Sequence, residues 1–284
     1  MATIWIDGEW HDKASAKISV FDHGLLYGDG IFEGIRAYGG KVFKLQEHLD
    51  RLYDCAHAIM LQIPMPRTEF GKVIEEAVKR SGLKDAYIRP IITRGVGDLG
   101  FDPRKCAKPT MIVIVDTIAM WTPDRAAQGL SVITSGTPIP HREALSPRTK
   151  SLNYLCHIMA KLEANNAGAD EALMLDASGH VAEGTGQNVF VVKGGAIRTP
   201  PIYAGILAGV TRAVVMDLAR TAGYPVKEEI LNRFDIFTAD EAFLTGTASE
   251  IVAIRVYDGR TIGAGKAGPV TLDLMTRFKA VTVA

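Results

Sequence analysis

The stretch SPRTKSLNYL, residues 146–155, carries a lysine into what reads as the mouth of a core: Arg148 and Lys150 run straight into Leu152, Tyr154 and Leu155. An ammonium so placed needs a partner, a lowered pKa or a covalent use for its amine, because burying it alone is expensive. Most lysines stay solvated, so Lys150 gains meaning only from its company. GILAGVTRAVV puts Gly209, Val210 and Thr211 at the start of a strong helical pattern. Free backbone N–H groups, the positive end of a helix dipole and a hydroxyl would suit an anion there; a plain capping threonine is the other reading. LTGTASEI is a second turn of glycine and small hydroxyl residues at a strand end, again an anion site or an ordinary turn. In HVAEGTGQNVFVV, Glu183 lies between a strand-like run and a Gly-Thr-Gly turn.

A solvated loop glutamate is the bland reading of Glu183. A carboxylate that keeps a pyridine nitrogen protonated is the other. Together an amine, a carboxylate and two phosphate-like anion sites suit pyridoxal phosphate, with its aldehyde for the lysine, its ring nitrogen for the glutamate and its phosphate for the turns. Nucleotide motifs fail. GTGQNV has Val189 where the third glycine of a dinucleotide fingerprint belongs, GDGIFE has Glu33 there, and GILAGVT lacks the P-loop lysine. No metal is expected: His48 and His57 are nine residues apart, and Cys55, Cys106 and Cys156 form no CxxC pair.

These residues need a scaffold, and the chain has one of enzyme size. With 284 residues, 47% of them hydrophobic and 23% charged, two domains are expected around substantial cores. Lys+Arg and Asp+Glu both total 32, which gives no basic field for nucleic acid or a membrane surface. Asp7 and Glu9 break the N-terminal run, and Asp116 breaks the longest apolar one, so a cytoplasmic protein with no membrane span is expected. The widely spaced cysteines suit a reducing compartment.

The first half, residues 1–118, reads as a small α/β domain. Its parts are an Asp-Gly hairpin in TIWIDGEW, another about Gly39-Gly40, an amphipathic helix with Leu49, Leu52, Ala56 and Ile59 on one face, a second helix with Thr68 as its expected N-cap, and two buried strands, AYIRPIITR and TMIVIVDTI. Residues 119–129, aperiodic around Pro123, are the expected linker. Residues 130–284 read as a second domain that opens on the strand LSVITSG and continues with a helix over LNYLCHIMAKLEANNAG. The strands EALMLD, NVFVVK, EAFLTG and IVAIRVYDG follow, with helices over GVTRAVVMDLARTAG and VTLDLMTRFKAV. Strands grouped in hairpins predict mixed or antiparallel sheets with helices, an α/β (α+β) chain.

FDHGLLYGDGIFEGIRAY, HLDRL, KSLNYL, EGTGQNVF, GILAGVTR and LTGTASEI, in that order, resemble the class IV pyridoxal-phosphate aminotransferases, of fold type IV. The resemblance covers roughly residues 3–280. It implies a two-domain homodimer, or a higher homo-oligomer, with the active site at the domain and dimer interface. Lys150 would be the Schiff-base lysine and proton carrier, and Glu183 the partner of the ring nitrogen. Tyr154, one helical turn after Lys150, would bond the phenolic oxygen. Arg51, Val210, Thr211 and Thr247 would hold the phosphate, with Leu207 against the ring. Tyr87 and Arg89 in YIRP alternate on one sheet face and resemble the branched-chain aminotransferase pattern. Tyr87 would hold the substrate α-carboxylate with Thr247 and Ala248. Arg89 would take the side-chain carboxylate of glutamate, and Phe32, Trp121 and Tyr27, the last from a partner subunit, would line the apolar pocket. The implied activity is transamination between Leu, Ile or Val and 2-oxoglutarate. The rivals are a D-amino-acid or (R)-amine transaminase, an aminodeoxychorismate-type lyase, and a non-catalytic phosphate-binding module.

Overall fold

The computed structural model describes residues 2–118 and 121–283, so the first two residues of the expected linker, Ala119 and Met120, lie outside the described residues. The chain divides into two compact units, Met1–Ile118 with Thr149–Asn153, and Ala119–Arg148 with Tyr154–Ala284. The segment around Lys150 therefore groups with the first unit. Its backbone explains this: Ser151 bridges Ile31, the Phe32 N–H donates to the Lys150 carbonyl at 3.0 Å, and the Leu152 N–H donates to the Gly30 carbonyl at 2.9 Å.

The first unit runs β1 (Thr3–Ile6), β2 (Glu9–His11), α1 (His23–Tyr27), β3 (Gly30–Phe32), β4 (Ile35–Tyr38), β5 (Lys41–Val42), α2 (Leu45–Ala58), α3 (Arg67–Ser81), β6 (Ala86–Thr93) and β7 (Thr110–Asp116). Its sheet has the order β2-β1-β7-β6-β4-β5, with β3 also on β6. Leu49, Leu52 and Ala56 of α2 and Phe70, Ile74 and Ala77 of α3 bury their apolar stripes against Ile31, Ile35, Ile88 and Val113 of the strands. Helix α3 begins at Arg67 behind Pro66 rather than behind the expected Thr68; Pro66 already has the extended backbone of a cap. The strand is interrupted at Glu33–Gly34, but its register against β6 is the same on both sides, Phe32 with Ile91 and Ile35 with Ile88. Opposite it stands Pro90, which has no N–H to give the ladder, while its carbonyl accepts the Glu33 N–H at 2.9 Å.

The second unit runs α4 (Pro123–Gln128), β8 (Leu130–Thr134), α5 (Leu155–Asn166), β9 (Glu171–Leu175), β10 (Val181–Gly184), β11 (Asn188–Lys193), β12 (Ala196–Thr199), α6 (Val210–Thr221), β13 (Val226–Glu228), α7 (Arg233–Phe237), β14 (Glu241–Gly246), β15 (Glu250–Tyr257), β16 (Arg260–Thr261) and α8 (Pro269–Thr282). The sheet order is β10-β9-β8-β15-β14-β11-β12-β13, with β16 on β15. The pairs β8–β9, β8–β15 and β12–β13 are parallel and the rest antiparallel, the mixed sheet that hairpin-grouped strands predict. Two sequence expectations change. Residues 123–128 form α4, capped by the Thr122 hydroxyl on the Arg125 N–H; six residues are too few to show a period. Helix α5 starts at Leu155, not Leu152, because the β-bridge at Ser151 holds residues 150–153 out of the helix. Tyr154 is its N-cap, so it does not stand one helical turn beyond Lys150.

Candidate active site

In the first unit, Phe32 at the end of β3 gathers two cations. The Lys150 ammonium lies 4.5 Å from its ring centroid, and the Arg89 guanidinium 4.7 Å. Strand β6 alternates: Ala86, Ile88 and Pro90 point into the core, while Tyr87 and Arg89 share the other, half-buried face, as the YIRP pattern predicts. Arg89 Nη2 donates to the Tyr87 hydroxyl at 2.8 Å and its guanidinium stacks 5.3 Å from that ring's centroid. A side chain at residue 34 would overlap the Tyr87 hydroxyl, so Gly34 is the room that this hydroxyl occupies. The cluster offers an ammonium, a guanidinium and a phenol around an apolar ring.

Arg51 and His48, three residues apart on α2, both reach Glu33, whose carboxylate is wholly buried. Arg51 donates through Nε at 2.6 Å and Nη2 at 2.8 Å, and His48 Nδ1 is 2.8 Å from the same carboxylate. Burial pushes the Glu33 carboxyl up, but the Arg51 charge and the His48 and Arg51 hydrogen bonds outweigh it and hold it well below the usual carboxylate range. Burial holds the His48 imidazole below its ordinary value, against the pull of Glu33, so it is neutral at pH 7. Behind Lys150, the Cys55 sulfur accepts the Lys150 N–H at 3.3 Å; burial pushes this thiol up, so it stays protonated. Tyr27 ends α1, its hydroxyl accepting the Gly100 N–H at 2.9 Å and its ring edge-on to His23 and Phe101.

In the second unit, Glu183 is part of β10 itself and 5% exposed, not a solvated loop residue. Its Oε2 accepts the Asn188 amide at 3.0 Å and the Leu207 N–H at 3.1 Å. The Gly184–Gly186 turn after it is tied down by the Thr185 hydroxyl, which donates to the buried Glu171 at 2.7 Å. Helix α6 has Gly209 at its N-cap with no side-chain cap, and Val210 and Thr211 in its first turn. Thr211 is therefore not the cap, and the helix opens on free N–H groups. Thr247 and Ala248 are half-buried in the turn between β14 and β15. On either side of them, Thr245 Oγ1 and Ser249 Oγ are buried and make no hydrogen bond among the described residues. Tyr154 stacks on His157, ring centroids 4.5 Å apart, and Trp121 packs against this unit's own core.

A phosphate ester of a heteroaromatic aldehyde fits this donor set. The uncapped start of α6 and the orphaned hydroxyls beside Thr247 are what a phosphate uses, and a buried carboxylate is what a pyridine nitrogen uses. The sequence did not single out the Glu33–His48 support of Arg51, nor Asn188. The one signal for the first was the spacing of His48 and Arg51 on one helix face.

The model of the amino-transferase class IV family matches residues 30–257. A Methanocaldococcus jannaschii protein, provisionally named a branched-chain-amino-acid aminotransferase, is 49% identical over 278 residues, 98% of this chain and 96% of its own. The branched-chain-amino-acid aminotransferase of Pseudomonas aeruginosa is 41% identical over 280 residues, 97% of this chain and 91% of its own. A branched-chain amino acid aminotransferase from T.th. superposes with a TM-score of 0.93 at 36% identity, covering 99% of this chain and 94% of the other. It has been solved with N-(5'-phosphopyridoxyl)-L-glutamate and with 4-methylvaleric acid.

Proposed function

This chain belongs to the class IV aminotransferases, and on that premise we propose that it moves amino groups between branched-chain L-amino acids (Leu, Ile, Val) and 2-oxoglutarate, with pyridoxal 5'-phosphate as cofactor. The observation that carries the substrate assignment is the cluster of Tyr87, Arg89 and Phe32. A guanidinium laid on an aromatic ring offers a cation to the side-chain carboxylate of glutamate and an apolar wall to leucine. The two ligands of the T.th. enzyme, one bearing glutamate and one a branched aliphatic acid, support the same pair of preferences here.

The cofactor, when bound, supplies an electron sink for the charge that develops on the substrate Cα. Lys150 would hold its aldehyde, and its amine would be the group that moves a proton to or from the substrate Cα. Glu183 would pair with the ring nitrogen. Arg51, the first-turn N–H groups of Val210 and Thr211, and the Thr247 hydroxyl would hold the phosphate, Glu33 setting the plane of the Arg51 fork. Tyr154 would donate to the phenolic oxygen and Leu207 would lie against the ring. Tyr87 binds the substrate α-carboxylate with the Thr247–Ala248 turn, and Phe32 forms the apolar wall that Tyr27 of the partner subunit completes.

The assembly is a homodimer. Leu155, Ile158, Met159 and Leu162 form one stripe on α5, each between 47% and 69% exposed, and an apolar stripe of this kind is suited to pairing with a second copy. The free cysteines suit the cytoplasm, and no helix among the described residues is long and apolar enough to cross a membrane. A coupled assay of L-leucine and D-alanine against 2-oxoglutarate tests the activity. Glutamate formed from L-leucine is expected. Turnover of D-alanine with none of L-leucine would assign the chain to a different substrate class of the same family.

A further inference from the structure

Asn188 stands at the first residue of β11, 4% exposed, and ties together three segments far apart in sequence. Its amide nitrogen donates to Glu183 Oε2 at 3.0 Å and to the Leu207 carbonyl at 3.0 Å, while the Leu207 N–H donates to the same Glu183 oxygen at 3.1 Å. The side chain cannot be turned end for end, because both of its partners are acceptors and only the NH2 end can serve them. Its carbonyl end lies close against residue 209, where a Cβ would overlap Asn188 Oδ1. Gly209 has φ −68° and ψ 131°, a conformation open to any residue, so a glycine is needed there for space and not for backbone freedom.

We infer that Asn188 is a positioning residue for Glu183, holding the plane of its carboxylate for the ring nitrogen of the cofactor, and that Gly209 is the clearance that permits it. The inference rests on the reading of Glu183 given above. Two N–H donors on one carboxylate oxygen are charge-assisted bonds, made best by the ionised group, and they lock its terminal torsion. Without Asn188 the carboxylate loses the side-chain donor on that oxygen. It can then swing or lose charge, and the nitrogen loses a partner of defined direction. Leu207, placed against the ring face, is held by the same amide through its carbonyl.

The test uses holoenzyme reconstituted with ring-15N-labelled pyridoxal 5'-phosphate, in the wild type and in Asn188→Ala, Gly209→Ala and Glu183→Gln. The 15N chemical shift reports the protonation of the ring nitrogen, and steady-state kinetics with L-leucine separates kcat from KM. Glu183→Gln should move the resonance to the unprotonated range. Asn188→Ala should move it in the same direction and lower kcat by about ten- to a hundred-fold, the worth of one hydrogen bond to a charged group, with KM little changed. Gly209→Ala, which leaves Asn188 and Glu183 both in place, should reproduce that signature; if Asn188→Ala does not fold, Gly209→Ala decides alone. A wild-type 15N shift and kcat in the folded variants, with only a lowered Tm, overturns the positioning role. A protonated nitrogen and normal kcat in Glu183→Gln overturns the reading of Glu183 itself, and the inference with it.

Discussion

Arg89 donates to the Tyr87 hydroxyl at 2.8 Å and lies over the Phe32 ring, and among the described residues no carboxylate pairs with it. Arg51 is the opposite case, its guanidinium held through two hydrogen bonds by the buried Glu33. One guanidinium rests on a phenol and an aromatic ring; the other has a buried carboxylate that fixes its direction. For Arg89→Ala, the half-reactions of glutamate and 2-oxoglutarate should lose about ten- to a hundred-fold in kcat/KM, while those of leucine and its keto acid lose far less. Single-turnover absorbance measures each half separately. Equal losses would mean that Arg89 serves the α-carboxylate or the fold.

Lys150→Ala should remove covalent capture of the cofactor. Borohydride treatment of wild-type holoenzyme should add the cofactor's mass to the peptide containing Lys150, and the variant should show no such adduct. Transamination should fall by about 10²- to 10⁴-fold or more, since proton transfer by a positioned side chain is worth that much by itself. Recovery of the adduct on another lysine would reassign the site.

The Glu33 cluster predicts acid lability. Its carboxyl is held lower in the folded protein than in the unfolded chain, where the usual value is about 4.3. The unfolded state therefore takes up protons first, and the stability contributed by Glu33 is complete above that value and declines as pH falls toward its folded one. His48, depressed by burial, acts in the same direction below about pH 6.5. At pH 7, Glu33→Gln should cost about 3–5 kcal/mol, because Arg51 loses its carboxylate partner. Urea unfolding at pH 7 and pH 3 should show the gap between variant and wild type shrinking in acid. A gap that does not change with pH would exclude this role for the pair.

Ile158→Asp should split the proposed dimer without unfolding the subunit. Ile158 is 54% exposed in the single chain and lies mid-stripe on α5, so a charge there costs the subunit little but would be buried unpaired against a second copy. Analytical ultracentrifugation should show a dimer for the wild type and a monomer for the variant at the same concentration. An unchanged sedimentation profile would remove α5 from the interface.

The sequence by itself determined the chemistry of single residues and of short runs. Tyr87 and Arg89 could be put on one face because a strand's period is two, and the start of α6 could be read as an anion site because helix N-termini leave donors unpaired. The mixed sheets followed from hairpin-grouped strands for the same local reason. Tertiary structure alone decided what those residues touch. Arg51 meets Glu33 across eighteen positions, and Asn188 meets Leu207 across nineteen, and no periodicity encodes either contact. The helical pattern from Leu152 onward was a fair local signal, yet the bridge between Ser151 and Ile31 overrides it and groups Lys150 with the first unit. Local preferences are worth tenths of a kcal/mol per residue, and a backbone pairing made from a distant strand outweighs them.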